Sequence, residues 1–217
     1  MKKWISLLLC LTLLLSLTAC GTGDSEETTV IATAVPAQTE PTQAESAPED
    51  GVYTVSTPDE FIDAIGSDRT IHVSGGTLDL STARSYGKDT GSDKCAWEEE
   101  FDGYQLVIQD VKNLTITGDG KVATEIATHP RYAQVLYLRS CENVALSGFT
   151  AGHTPEAGSC VGGVVYLEGC TGVSIRDVGL YGCGVIGVHT QNCRDVTVAN
   201  SDIYECSYQG VNFQDST

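Results

Sequence analysis

From about residue 70 onward, apolar and polar residues alternate in short runs separated by glycine, aspartate and asparagine. An apolar residue at every second position turns one face of an extended strand inward. Runs at 70–73, 77–80, 105–108, 113–117 and 134–138 predict strands on this pattern. Ahead of them, Thr57, Pro58, Asp59 and Glu60 form a helix start, with Thr as N-cap, Pro in the first turn and Glu placed to close a capping box. Phe61, Ile62 and Ile65 then share one side of a short helix that ends by Gly66. The first 50 residues follow neither pattern. Residues 5–17 are a predominantly apolar run without charges behind Lys2 and Lys3, and residues 21–50 hold seven acids, no base and few large aliphatics.

The strand pattern repeats. Cys160, Cys183 and Cys206 are spaced by 23 residues, and so are Cys170 and Cys193. Val173, Ile175, Leu180 and Tyr181 recur as Val196, Val198, Ile203 and Tyr204, and an earlier copy at Cys141 precedes Cys170 by 29 residues. A fixed period of this size marks units that cannot bury their own apolar face and must stack. Each unit holds three short strands, such as 173–175, 180–181 and 185–189. Stacking at the spacing of paired strands, about 4.8 Å, superposes equivalent residues. Val144, Val173 and Val196 then form one inner column, Leu146, Ile175 and Val198 another, and the cysteines two more.

These repeats resemble the right-handed parallel β-helix proteins of the pectin-lyase-like superfamily over roughly residues 71–217. The resemblance rests on the segments at 173–177, 196–200 and 187–193. It implies an all-β fold, a right-handed parallel β-helix solenoid with a short N-terminal capping helix. The superfamily includes lyases, hydrolases, epimerases and adhesins, so the fold alone does not select an activity.

The N-terminus supplies an address. The run ending in Leu17, Thr18, Ala19, Cys20 and Gly21 resembles the lipobox of bacterial lipoproteins. That resemblance implies residues 1–19 as a signal peptide and lipidation of Cys20. Residues 20–50 then form a disordered acidic linker, because so few apolar groups cannot offset the entropy of ordering the chain. Residues 51–217 form the folded domain. The expected location is extracytoplasmic, on a bacterial membrane through the lipid on Cys20. Without the signal the chain carries 10 Lys and Arg against 29 Asp and Glu, a net charge of −19. This balance excludes nucleic acid as a partner, because nucleic acid needs a basic face.

Six of the seven cysteines left after Cys10 and Cys20 occupy equivalent repeat positions, which favours buried thiols over disulfides. No cofactor and no metal is expected: there is no C-x-x-C pair, and His153 with Cys160 is too loose a pairing for zinc. The candidate ligand site is an outward ribbon. Four residues before successive column cysteines stand Tyr137, Tyr166 and His189, continued by Asn212. Two residues before them stand Arg139, Glu168 and Gln191, continued by Gln214. Aromatic faces beside planar hydrogen-bonding groups suit a sugar chain. Two insertions are expected to wall the ribbon: residues 84–103, with Cys95, Trp97 and Glu98 to Glu100, and the extra residues near 152–159, with His153 and Glu156.

Three functional readings follow. The first is a surface module that binds extracellular polysaccharide through Tyr137, Arg139, Tyr166, Glu168, His189 and Gln191. The second is a polysaccharide lyase or glycoside hydrolase, with His189 and Glu168 as the candidate acid–base pair. No outward column of 141–217 stacks two carboxylates, as glycoside hydrolysis commonly requires. The third is a structural or adhesive solenoid. After Asp215 the chain stops without a capping element, so the natural protein is expected to be longer, or this end to pair with another chain.

Overall fold

The protein is described by a computed structural model over residues 51–153, 160–182 and 184–217. The signal, Cys20, the linker, Glu156 and Cys183 lie outside the described residues. The chain opens with β1 (Val52–Val55) and α1 (Pro58–Ala64), then β2 (Arg69–Val73) and β3 (Gly76–Asp79). A hairpin follows, β4 (Cys95–Glu100) and β5 (Gly103–Gln109). Three strands per circuit come next: β6 (Lys112–Gly118), β7 (Thr124–Thr128) and β8 (Leu136–Arg139), then β9 (Glu142–Ser147), β10 (Thr150–His153) and β11 (Val165–Glu168). The last two circuits are β12 (Thr171–Arg176), β13 (Gly179–Tyr181) and β14 (Ile186–Gln191), then β15 (Arg194–Ala199), β16 (Asp202–Ile203) and β17 (Gln209–Gln214).

The fold is all-β, with three sheets in which each strand pairs with its counterpart one circuit away. The first sheet has the order β1-β2-β6-β9-β12-β15, the second β16-β13-β10-β7-β3, and the third β17-β14-β11-β8-β5-β4. Every pairing is parallel except the β4–β5 hairpin. The register superposes Ile71, Ile116, Leu146, Ile175 and Val198 in one interior column, and Leu114, Val144, Val173 and Val196 in the next. Ile71, Ile116 and Ile175 are fully buried. Each such side chain contributes about 1.5–3 kcal/mol through its removal from water.

The turn from the third sheet back to the first needs one residue with positive φ. Asp110, Ser140, Asn192 and Asp215 take φ between 47° and 54° there, and Gly169 takes 63°. Aspartate and asparagine adopt this region more readily than other side chains. The next residue is Val111 in the first of these turns and cysteine or serine in the later four, where its side chain ties the stack together. The Cys141 amide donates to Cys170 Sγ and the Cys170 amide to Cys193 Sγ, each at 3.4 Å, and the Cys193 amide donates to Ser216 Oγ at 3.0 Å. Each thiol in turn meets the carbonyl two residues before it, at 3.3–3.5 Å. A cysteine at this position therefore fills core volume and satisfies a turn amide that would otherwise be buried unpaired.

The expectation of buried thiols holds for Cys95, Cys141, Cys170 and Cys193, which are free and buried. It does not hold for the other column. Cys160 is free but only half-buried, and Cys206 is disulfide-bonded. Cys206 sits in the last circuit, partly buried against the core.

The capping box at α1 forms as expected, with Thr57 accepting from the Glu60 amide and the Glu60 carboxylate accepting from the Thr57 amide. The Ser56 amide, the largest contributor, helps hold the Glu60 carboxyl below the usual carboxylate range. The helix buries Phe61, Ile62 and Ala64 in the same core as the strands. Residues 84–103, expected as a loop, instead supply β4 and the start of β5. The acidic run Glu98 to Glu100 hid the strand, because its apolar partner residues Cys95 and Trp97 are only two.

Candidate functional site

The outer face of the third sheet carries the predicted ribbon. Cross-strand register aligns Val107, Tyr137, Tyr166, His189 and Asn212 in one row, and Gln109, Arg139, Glu168, Gln191 and Gln214 in the next. Val165, Leu167, Val188 and Thr190, between them in sequence, point into the core and are buried. The rings of Tyr137 and Tyr166 stand 4.7 Å apart, and those of Tyr166 and His189 4.9 Å. All six residues named from the sequence therefore share one surface.

That surface is closed on itself. The Arg139 guanidinium makes a bidentate contact with Glu98, at 2.7 and 3.1 Å, and its Nε reaches Glu168 Oε2 at 3.1 Å. Arg139 also donates to the Tyr137 hydroxyl at 2.8 Å and lies over its ring. The Tyr137 hydroxyl donates to Glu168 Oε2. This donation, then Arg139, holds the Glu168 carboxyl below the usual carboxylate range. Burial first, and the tie to Glu168 second, raise the Tyr137 phenol above its ordinary value. Tyr137 is only 5% exposed. Further along, the Tyr166 hydroxyl donates to Gln191 Oε1 at 2.6 Å, and His189 Nε2 is buried without a hydrogen-bond partner. Glu168 is thus held ionised by groups other than His189, which suits an ion-pair anchor better than a proton donor. Glu98 was expected in the insertion walling the ribbon, and it does reach the ribbon through Arg139. It is delivered by the antiparallel β4, whose register no repeat announces.

The predicted walls also differ. Trp97 packs edge-on to Tyr86 at 5.0 Å and donates to Ser85 Oγ at 3.3 Å, and Cys95 is buried. His153 is 3% exposed, its ring between the carbonyls of Ala133 (2.9 Å) and Gly182 (3.2 Å). Neither His153 nor Cys95 walls a groove. No group of three or more His, Cys, Asp or Glu among the described residues is arranged to hold a metal ion.

An open site lies on the outer face of the second sheet, where a cleft of about 510 Å³ is lined by Thr77, Lys121, Glu125, Thr150, Tyr181 and Tyr204, among others. Register puts Thr77, Glu125, Thr150, Gly179 and Asp202 in one row, with Gly152 and Tyr181 paired two positions further along β10 and β13. Glu125 forms the floor. Its Oε2 accepts from the Thr77 hydroxyl at 2.6 Å and its Oε1 from the Tyr181 hydroxyl at 2.5 Å. Tyr181 reaches back this far because its ring lies across Gly152. A Cβ there would fall 2.6 Å from the ring carbons. Burial, then Glu125, raise the Tyr181 phenol. The Tyr204 ring stacks on Tyr181 at 5.9 Å and 22°, extending the aromatic wall by one circuit. Opposite it, Lys121 pairs with Asp202 at 2.6 Å, and its carbonyl accepts from Thr150 Oγ1 at 2.6 Å. The sequence held the signal for the wall, since Tyr181 and Tyr204 are equivalent in the 23-residue repeat. Glu125 and Lys121 precede the periodic region and carry no such signal.

No protein-family model matches the chain, and no curated protein matches it. Among solved structures the chain is similar to a pectate lyase from Paenibacillus sp. 0602, with a TM-score of 0.50 and 11% sequence identity. The match covers 69% of this chain and 37% of that one, so this chain spans little more than a third of that protein. At such low identity the likeness speaks to fold alone. It agrees with an all-β chain of parallel sheets.

Proposed function

We propose that this chain is an extracellular polysaccharide-binding module, built as a right-handed parallel β-helix and held at a bacterial membrane by a lipid on Cys20. The observation that carries the reading is the cleft on the second sheet, where two stacked tyrosines face a carboxylate fixed by two hydroxyls. Sugars bind through this combination: C–H faces pack on aromatic carbon, and ring hydroxyls donate to an acceptor already held in place. Its volume is within the 300–1,000 Å³ range of small-ligand sites. On the third sheet, Tyr166, His189 and Gln191 are half-buried, and the Tyr137 ring packs against Tyr166 while Arg139 and Glu168 pair with each other. The similarity to a pectate lyase is consistent with a polysaccharide as ligand.

The test is retention of the full chain on immobilised polysaccharides, with new chain ends measured in the same tubes. Retention without new ends is the expected result. Release of ends from any substrate favours the lyase or hydrolase reading, and neither result favours a structural solenoid. Anchoring is checked separately, by fatty-acid labelling that Cys20→Ala abolishes.

A further inference from the structure

We infer that the cleft on the second sheet selects a neutral glycan chain and rejects uronate chains such as the substrate of the pectate lyase that this chain resembles in fold. The inference rests on the polysaccharide-binding reading and adds the class of ligand. It follows from the charges in the cleft. Lys121 and Glu125 are the charged residues among those lining it. Lys121 is neutralised by Asp202 at 2.6 Å, which leaves Glu125 as the uncompensated charge at the floor. Both hydroxyls that touch Glu125 donate to it, from Thr77 and Tyr181, and neither is a cation. Each carboxylate oxygen keeps a lone pair free for a further donor.

A neutral sugar offers hydroxyl donors to this acceptor and C–H surface to Tyr181 and Tyr204. A uronate brings a second carboxylate beside Glu125 where the one lining cation, Lys121, is already paired with Asp202, and like charges placed together oppose binding. The sequence-wide charge of −17 acts in the same direction at long range. Arg139, the cation that could have received a uronate, lies on the third sheet and is occupied by Glu98 and Glu168.

The experiment uses the full chain in affinity electrophoresis through gels containing either a neutral β-glucan or polygalacturonate. Retardation by the neutral polymer at least tenfold stronger than by polygalacturonate is expected at about 0.1 M salt, with the gap narrowing at about 0.5 M as screening grows. Glu125→Gln should cross the two responses: neutral retardation falls several-fold and polygalacturonate retardation rises. Asp202→Asn, at a side chain 71% exposed, frees Lys121 without disturbing the core and should also raise polygalacturonate retardation. Polygalacturonate binding as tight as neutral binding in the parent chain, or equal losses for both polymers in Glu125→Gln, overturns the inference and leaves the polysaccharide reading standing. Retardation by neither polymer, nor by a wider set of glycans, overturns the reading itself.

Discussion

The outer faces of the second and third sheets are made of the same parts and behave differently. Each has a tyrosine column with a carboxylate beside it: Tyr137 and Tyr166 with Glu168 on one, Tyr181 and Tyr204 with Glu125 on the other. On the third sheet a cation from the same strand as Tyr137 and a second carboxylate from β4 complete the set, and almost every polar group has an internal partner. On the second sheet the cation is drawn aside by Asp202, and the carboxylate faces an open cleft. A surface that satisfies itself rigidifies the fold, whereas one that leaves an acceptor exposed next to aromatic carbon has capacity left for a ligand. An aromatic column by itself therefore does not mark a binding face in a stacked fold. The charges around it decide.

The comparison can be broken most strongly at Arg139. In Arg139→Ala, Glu98, Glu168 and Tyr137 lose their shared donor, and the two carboxylates face one another. Denaturant unfolding is expected to show a loss of about 2–3 kcal/mol, below the cost for a fully buried pair because the Arg139 side chain is 32% exposed. Glycan retention through the second sheet should be unchanged, and a parallel loss would show that the faces do not act separately.

On the open face, Gly152→Ala acts on the one contact that bends Tyr181 toward Glu125. Its Cβ would meet the Tyr181 ring at 2.6 Å and the Tyr181 carbonyl at 2.7 Å. A stability loss of about 1–2 kcal/mol is expected by thermal unfolding, accompanied by about tenfold weaker glycan retention. Tyr204→Ala separates the two effects. Its side chain is in the last circuit and the residue is 45% exposed, so unfolding should shift by less than about 1 kcal/mol while retention falls several-fold.

The smallest effect is a pH dependence confined to the closed face. Glu168 has a folded pKa below its unfolded value, chiefly through the Tyr137 hydroxyl. Its contribution is complete above the unfolded pKa of about 4.3 and is lost as pH falls through the lower folded value. The unfolding midpoints of the parent chain and Glu168→Gln should therefore differ near neutrality and converge in acid. A constant offset across that range would mean that the ionised carboxylate contributes nothing.

Much of the architecture was legible because the repeat forces it. When equivalent residues recur every 23 positions, parallel pairing places them in register, and Val173 must lie over Val196 and Tyr166 over His189. The same logic placed Tyr137, Arg139, Tyr166, Glu168, His189 and Gln191 on one surface. It did not extend to β4, which pairs antiparallel to the periodic stack and supplies Glu98 from a segment read as an insertion. Nor did it separate the bonded Cys206 from the free Cys160 of its column, because a column assigns a place in the circuit and not the oxidation state of its sulfur.

The amino-acid sequence alone determined which residues share a column and which way each strand faces, because a period and an alternation of two leave little else for a stacked chain to do. Only the tertiary structure decided which column is open. That depends on groups from unrelated segments: Glu98 meets Arg139 from 41 positions away, Lys121 meets Asp202 from 81, and Tyr181 crosses Gly152 to reach Glu125, 56 positions back. Charge pairing acts through distance in space, and spacing along a chain does not encode it when the partners come from outside the repeat.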